Sequence, residues 1–186
     1  MLPTPNPAQQ RVLDAAARKG VTLEIVSFPE STHTAEEAAR AVGADLAQIV
    51  KSLVFVGRDE EGRPEPIVAL VSGADRVDVR RLAAVAGQPD IRRASAGEAR
   101  ELTGFVIGGI PPIGHARPAQ VVMDQDLGRF GTVWAAAGTA NAVFEVAPAA
   151  LRTLANATVA PIADEAWRSQ RDEAASETRA GAASGA

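Results

Sequence analysis

Ile49-Val50-Lys51-Ser52-Leu53-Val54-Phe55-Val56 is a run of β-branched and large apolar residues interrupted by a single cation. A second apolar run, Pro66 to Ser72, follows across the polar turn Arg58 to Pro64, and the two predict strands joined as a hairpin. The first strand reads as central to a sheet, with Lys51 near its start.

Upstream, Asn6 to Gly20 predicts an amphipathic helix with Val12, Leu13, Ala16 and Ala17 on one face and Gly20 as its stop. Thr22 to Phe28 alternates as a strand. Thr34 with Glu37 forms a capping box for a short helix ending near Gly43, and Asp45 caps a further turn leading into Lys51. Downstream, Asp78 starts a helix to Ala86, and Ser95 with Glu98 forms a second capping box for a helix to about Leu102. Gln120 to Met123, Thr132 to Ala137 and Ala142 to Val146 read as strands, and Pro148 to Leu154 as a helix. This mixture of strands and helices predicts an α+β architecture around a mixed sheet. The chain has 186 residues, 46% of them hydrophobic, which suits one globular domain over residues 1–163. The tail, 164–186, is rich in Ala, Ser, Gly and Glu with Trp167 its one large apolar residue, and disorder is expected past Arg171.

Several function classes fall away on composition. Cysteine is absent, so neither disulfides nor a thiolate site can form. The apolar runs fall far short of the ~20 residues of a membrane helix, and the N-terminus lacks a signal pattern, so a cytoplasmic protein without a membrane partner is expected. The two histidines stand far apart and no carboxylates show metal-loop spacing, so neither metal nor cofactor is expected. No phosphate loop of the Gly-x-x-x-x-Gly-Lys-Ser/Thr kind is present. A net charge of −4 argues against DNA or a long wrapped nucleic acid, although gripping one end stays open. Between Asp75 and Arg100, six arginines stand against four acids, which a solvated helix face would also explain.

Two features carry possible chemistry. Thr103 to His115, Thr-Gly-Phe-Val-Ile-Gly-Gly-Ile-Pro-Pro-Ile-Gly-His, places four glycines and two prolines in thirteen residues. Such a backbone is stiff and shaped, as a ligand loop is, although Gly/Pro punctuation also marks ordinary turns. Arginine supplies 17 of the 19 basic residues, and lysine occurs only at Lys19 and Lys51. An ammonium inside the apolar run can hold a phosphate or a developing oxyanion as a point charge, the alternative being a stem that snorkels along the sheet edge.

Three segments read together carry more. Val50-Lys51-Ser52-Leu53-Val54-Phe55, Gly108-Gly109-Ile110-Pro111-Pro112-Ile113-Gly114-His115, and Val133 to Glu145 with Ala136-Ala137-Gly138-Thr139-Ala140-Asn141 at its centre resemble, in order and spacing, the YbaK family of aminoacyl-tRNA deacylases. The same fold is the editing insertion of bacterial prolyl-tRNA synthetases, and the resemblance covers roughly Ser31 to Ala163. It implies a mixed, largely antiparallel twisted sheet or partial barrel flanked by helices. It also implies a free-standing, metal-independent hydrolase that cleaves a wrong amino acid from the 3′ end of a tRNA, from the proline system. Lys51 then matches the residue most tied to activity, and Gly108 to Pro112 matches a Gly-x-x-x-Pro loop around the aminoacyl group.

Lys51, Gly108 and Gly109 are accordingly the catalytic candidates, the glycine amides as oxyanion donors. His33, Ile110, Pro111, Pro112, His115, Ala136, Ala137, Gly138, Thr139 and Asn141 are the substrate-binding candidates. His115 is a rival general base, and turn chemistry competes with binding at Asn141. Trp134 and Phe144 are expected in the core. The expected partner is the acceptor end of an aminoacyl-tRNA. Recruitment by prolyl-tRNA synthetase has no motif to carry it. The competing reading is a non-catalytic module that holds a nucleotide or amino acid, or docks on a synthetase, through the same pocket.

Overall fold

The structure, a computed structural model, describes residues 4–32 and 34–183, with side chains to residue 176. The order of elements is α1 (Pro7–Ala17), β1 (Ile25–Ser27), α2 (Ala35–Val42), β2 (Ile49–Arg58), β3 (Pro64–Ser72), α3 (Val79–Ala86), β4 (Arg92–Arg93), α4 (Ala96–Thr103), β5 (Gln120–Asp124), β6 (Val133–Ala136), β7 (Ala142–Val146), α5 (Pro148–Ala155), β8 (Thr158–Ala160) and α6 (Glu165–Ala183). Both expected capping boxes form: Thr34 Oγ1 accepts from the Glu37 amide at 3.2 Å and Ser95 Oγ from the Glu98 amide at 3.3 Å, each glutamate reaching back to the cap amide. These bonds satisfy amides that the first helical turn leaves without partners.

The strands make one mixed sheet in the order β1-β7-β6-β2-β3-β5-β8, with β4 also on β2. Its backbone is the β2/β3 hairpin, antiparallel from Val50 opposite Ser72 to Arg58 opposite Pro64. The β6/β7 and β1/β7 pairs are antiparallel too, whereas β2/β6, β3/β5 and β5/β8 run parallel. The long hairpin strands are apolar on both faces because helices cover both. Val50, Val54, Val56, Val68 and Leu70 join α1, α4 and α5 in the larger core. Phe55, Ile67, Ala69 and Val71 face Leu82 and Ala83 of α3.

The edge of β2 away from β3 is divided. Its start, Ile49 and Val50, pairs with Trp134 and Ala135 of β6, while Phe55 and Val56 pair with Arg93 and Arg92 of β4. Among the described residues, Lys51, Ser52 and Leu53 between them face no strand on that side. The sheet is therefore open along one stretch of its central strand.

The tail opens with the helix α6, which runs on through the stretch past Arg171 where composition predicts disorder. Its first turns are fastened to the body by Trp167, Arg168 and Arg171, contacts that composition alone does not reveal. Among the described residues no helix is long and apolar enough to cross a membrane.

Candidate active site

A cavity of about 230 Å³ fills the opening beside β2. Alternation along the strand gives it two kinds of wall. Lys51 and Leu53 share a face with Arg93, while Val50, Ser52 and Val54 meet Ala94, Ala99, Ile110 and Ala142 from the other. Thr34, Ala35 and Ala38 of α2 and its approach close one side, and Ile107, Gly108, Thr139 and Ala140 of two loops close another.

Those loops meet main chain to main chain. A Cβ on Gly109 would lie 2.6 Å from Thr139 C and Cα and 2.8 Å from its N, so this approach admits only glycine. Gly108 has φ of +96°, a left-handed conformation that side chains disfavour. The amide of Gly109 donates to Val106 O at 3.0 Å, closing a tight turn. The Gly109 amide, a candidate oxyanion donor, is thus engaged within the turn. The Gly108 amide has no bond of this kind among the described residues.

The second loop is pinned from behind. Asn141 Nδ2 donates to Phe28 O at 3.0 Å and Thr139 Oγ1 to Asn141 Oδ1 at 2.9 Å. Both the amide and the hydroxyl of Thr32 donate to Ala140 O, at 2.8 and 2.7 Å. Asn141 is thus a loop fastener and does not line the cavity. Ala137 and Gly138 are buried behind it.

Lys51 is half-buried at the cavity edge, and its Nζ donates to Asp75 O at 2.5 Å. An ammonium has three protons, so two remain for a ligand. Burial lowers its pKa below the ordinary lysine value; Asp75 and Glu36 oppose this, while Arg76 and Arg93 reinforce it.

The remaining candidates divide. Ile110, Ala136 and Thr139 line the cavity with Lys51 and Gly108. Pro111 and Pro112 are buried and do not line the cavity, Pro112 bordering a separate groove instead. His115 lies in a separate groove with Arg18, Lys19 and Arg117, its Nε2 2.8 Å from Pro111 O and its ring edge-on to Phe105. Burial holds its pKa below the usual histidine value, with Arg11 adding to the effect and Pro111 O opposing it. It secures the proline turn and does not line the cavity. His33 lies outside the described residues. Phe144 is fully buried as expected, but Trp134 is half-buried and borders the cavity.

Two residues escaped the sequence reading. Arg93 brings a second cation to the cavity and stacks over the Phe55 ring at 5.4 Å, with no ion pair to a carboxylate among the described residues. Its signal was the arginine surplus between Asp75 and Arg100, which composition could not assign to a face. Ser52 Oγ is buried and has no hydrogen-bond partner among the described residues; a lone serine beside Lys51 gives no pattern to read. An orphaned buried hydroxyl is unfavourable unless a ligand or water completes it.

Comparisons with known proteins agree with this architecture. Residues 29–154 match the family described as the aminoacyl-tRNA editing domain. An uncharacterized protein, YwhH of Bacillus subtilis, is 34% identical over 125 residues, 67% of this chain and 76% of that one. A candidate Cys-tRNA(Pro)/Cys-tRNA(Cys) deacylase, EbsC of Enterococcus faecalis, is 26% identical over 136 residues, 73% of this chain and 80% of that one. Among solved structures, a candidate trans-editing enzyme for prolyl tRNA synthetase superposes with a TM-score of 0.78 at 45% identity, covering 87% of this chain and 99% of the other.

Proposed function

The chain belongs to the aminoacyl-tRNA editing domain family, and from that premise we propose that it is a trans-acting deacylase hydrolysing the ester of mischarged tRNA, with tRNA(Pro) bearing a small wrong amino acid as substrate. The observation that carries this reading is that Lys51 and the Gly108 loop border one small cavity. Its ~230 Å³ falls below the ~300–1,000 Å³ of sites for larger ligands, and its alanine-rich wall suits a short side chain.

In this reading the Lys51 ammonium, with two protons free, grips the phosphate or ribose of the terminal nucleotide, and Arg93 adds a second positive contact. The aminoacyl group enters beside β2 with its carbonyl toward the Gly108 amide, and Ser52 Oγ supplies a hydrogen bond to the bound amino acid. Water adds to the ester carbonyl, and the Gly108 amide stabilises the resulting oxyanion. The bond to the ribose oxygen then breaks, the departing alkoxide takes up a proton, and free amino acid and uncharged tRNA leave. An aminoacyl ester is already reactive, so holding it against a water is the main requirement, and neither a protein nucleophile nor a metal is needed. Such a role belongs in the cytoplasm, beside the synthetase that makes the error.

The test is ester loss from tRNA(Pro) charged with alanine, cysteine, serine or proline, with parent protein and Lys51→Ala. A hydrogen bond to a charged group is worth ~1.5–3 kcal/mol, so kcat/KM for the preferred mischarged species falls about 10- to 150-fold in the variant. A chelator leaves the parent rate unchanged. No hydrolysis of any mischarged tRNA above background would overturn the proposal in favour of a binding module.

A further inference from the structure

The family match ends at residue 154, yet a dense polar cluster joins the helix beyond it to the loop that supports Lys51. Asp75 has its carboxylate nearly sealed from solvent, 3% exposed. Arg168 Nη2 donates to Asp75 Oδ2 and Arg171 Nη1 to Asp75 Oδ1, both at 2.8 Å. Trp167 Nε1 and Arg171 Nη1 donate to Ala74 O at 3.3 and 2.9 Å, and the Arg76 guanidinium lies 3.6 Å from the centre of the Trp167 ring. Arg168 also pairs with Asp126 and approaches Asp124, whose Oδ2 accepts the Ile162 and Ala163 amides that lead into α6. The carbonyl of this same Asp75 receives the Lys51 ammonium.

We propose that α6 positions Lys51: Arg168 and Arg171 grip the Asp75 carboxylate, fix the residue, and so hold its carbonyl where the ammonium is aimed along the cavity edge. A carboxylate held at both oxygens by two guanidiniums leaves its own main chain little freedom. The same grip occupies the Asp75 negative charge. Burial alone would raise the Asp75 pKa, and the two arginines more than reverse this and hold it below the ordinary carboxylate value. With its carboxylate engaged elsewhere, Asp75 offers Lys51 a neutral carbonyl, and the ammonium keeps its attraction for phosphate. Arg168 and Arg171 stand three apart on a helix and therefore address one target. They are positioning residues, since neither lines the cavity.

The proposal rests on the editing reading for its effect on rate, and a double-mutant cycle in the full chain separates the two. Arg168→Gln/Arg171→Gln is compared with the parent, in the presence of Lys51 and in the Lys51→Ala background, with folding checked by circular dichroism. The expected result is about a tenfold loss of kcat/KM when Lys51 is present and less than twofold when it is absent, with Arg168→Lys/Arg171→Lys recovering part of the loss. Equal losses in both backgrounds would reduce α6 to a stability element and overturn the proposal. A second measurement needs no activity. The chain has only two lysines, so limiting acetylation followed by peptide mass spectrometry gives the reactivity of Lys51 relative to Lys19. That ratio falls several-fold in the glutamine variant, because the freed Asp75 carboxylate pairs with the ammonium and keeps it protonated, and an unchanged ratio sinks the proposal. If Lys51→Ala itself leaves hydrolysis intact, the editing mechanism fails while the acetylation ratio still decides the role of α6.

Discussion

Replacing Gly109 by alanine places a methyl group where the two cavity loops meet main chain to main chain. Its Cβ would stand 2.6 Å from two Thr139 backbone atoms, whereas carbon atoms in contact rest at about 3.5–4.0 Å. Main-chain atoms cannot rotate aside, so the loops must separate by roughly 1 Å. Overpacking of this kind costs about 1–3 kcal/mol, which for a chain of this size lowers Tm by about 2–12 °C. The effect on rate is larger, because a misplacement of ~1 Å at reacting groups costs on the order of 10²-fold. The assay is kcat/KM for deacylation of the preferred mischarged tRNA(Pro), measured well below the variant's Tm. Gly97→Ala is the control: this glycine lies in α4 with nothing within 4 Å of a built Cβ, and the change stabilises by about 0.4–1 kcal/mol without altering the rate. A Gly109→Ala protein within threefold of the parent in kcat/KM would refute the claim that this contact sets the cavity.

Thr103 Oγ1 donates to Ala99 O at 2.6 Å and accepts from the Phe105 amide at 3.1 Å, all of it buried; Thr103→Val leaves that amide unpaired and costs about 1–3 kcal/mol by urea denaturation, and a loss under ~0.5 kcal/mol would contradict this account of the loop's start. His115 has a folded pKa below its unfolded value of ~6.5. As pH falls below about 6.5 the unfolded chain therefore takes up a proton that the folded one refuses, so the stability held by neutral His115 is complete above that pH and drains away below it. Urea midpoints between pH 5 and 7.5 show this slope in the parent and a flatter one in His115→Gln, and identical slopes would refute the assignment.

Legibility followed the range of the signal. The β2/β3 hairpin and the helices capped by Thr34, Asp78 and Ser95 were readable because apolar runs and capping residues act on their near neighbours. β4 was not, since two arginines carry no periodicity and become a strand only by pairing with Phe55 and Val56. The attachment of the first turns of α6 depends on three side chains reaching a loop some 90 residues earlier, which a local composition rich in Ala and Ser does not reveal. Arg168 and Arg171, at helical spacing beside Trp167, were the available clue. At the site, the resemblance brought Lys51, Gly108, Ile110, Ala136 and Thr139 to one place, while His115 and Asn141 turned out to be engaged in holding loops. Whether a residue next to a shaped loop faces the hollow or the wall behind it is decided by main-chain turns that spacing does not encode.

The interrupted edge of β2 separates the scaffold from the selectivity filter. The hollow exists because two neighbouring strands part company, so it needs no large side chain to prop it open, and Ala94, Ala99, Ala136 and Ala142 merely paper its walls. Swelling or trimming such a wall by one methylene shifts discrimination by about 1–3 kcal/mol while the ladder around it stays intact. A single backbone could in this way be retuned from one misplaced amino acid to another by exchanging a few small residues.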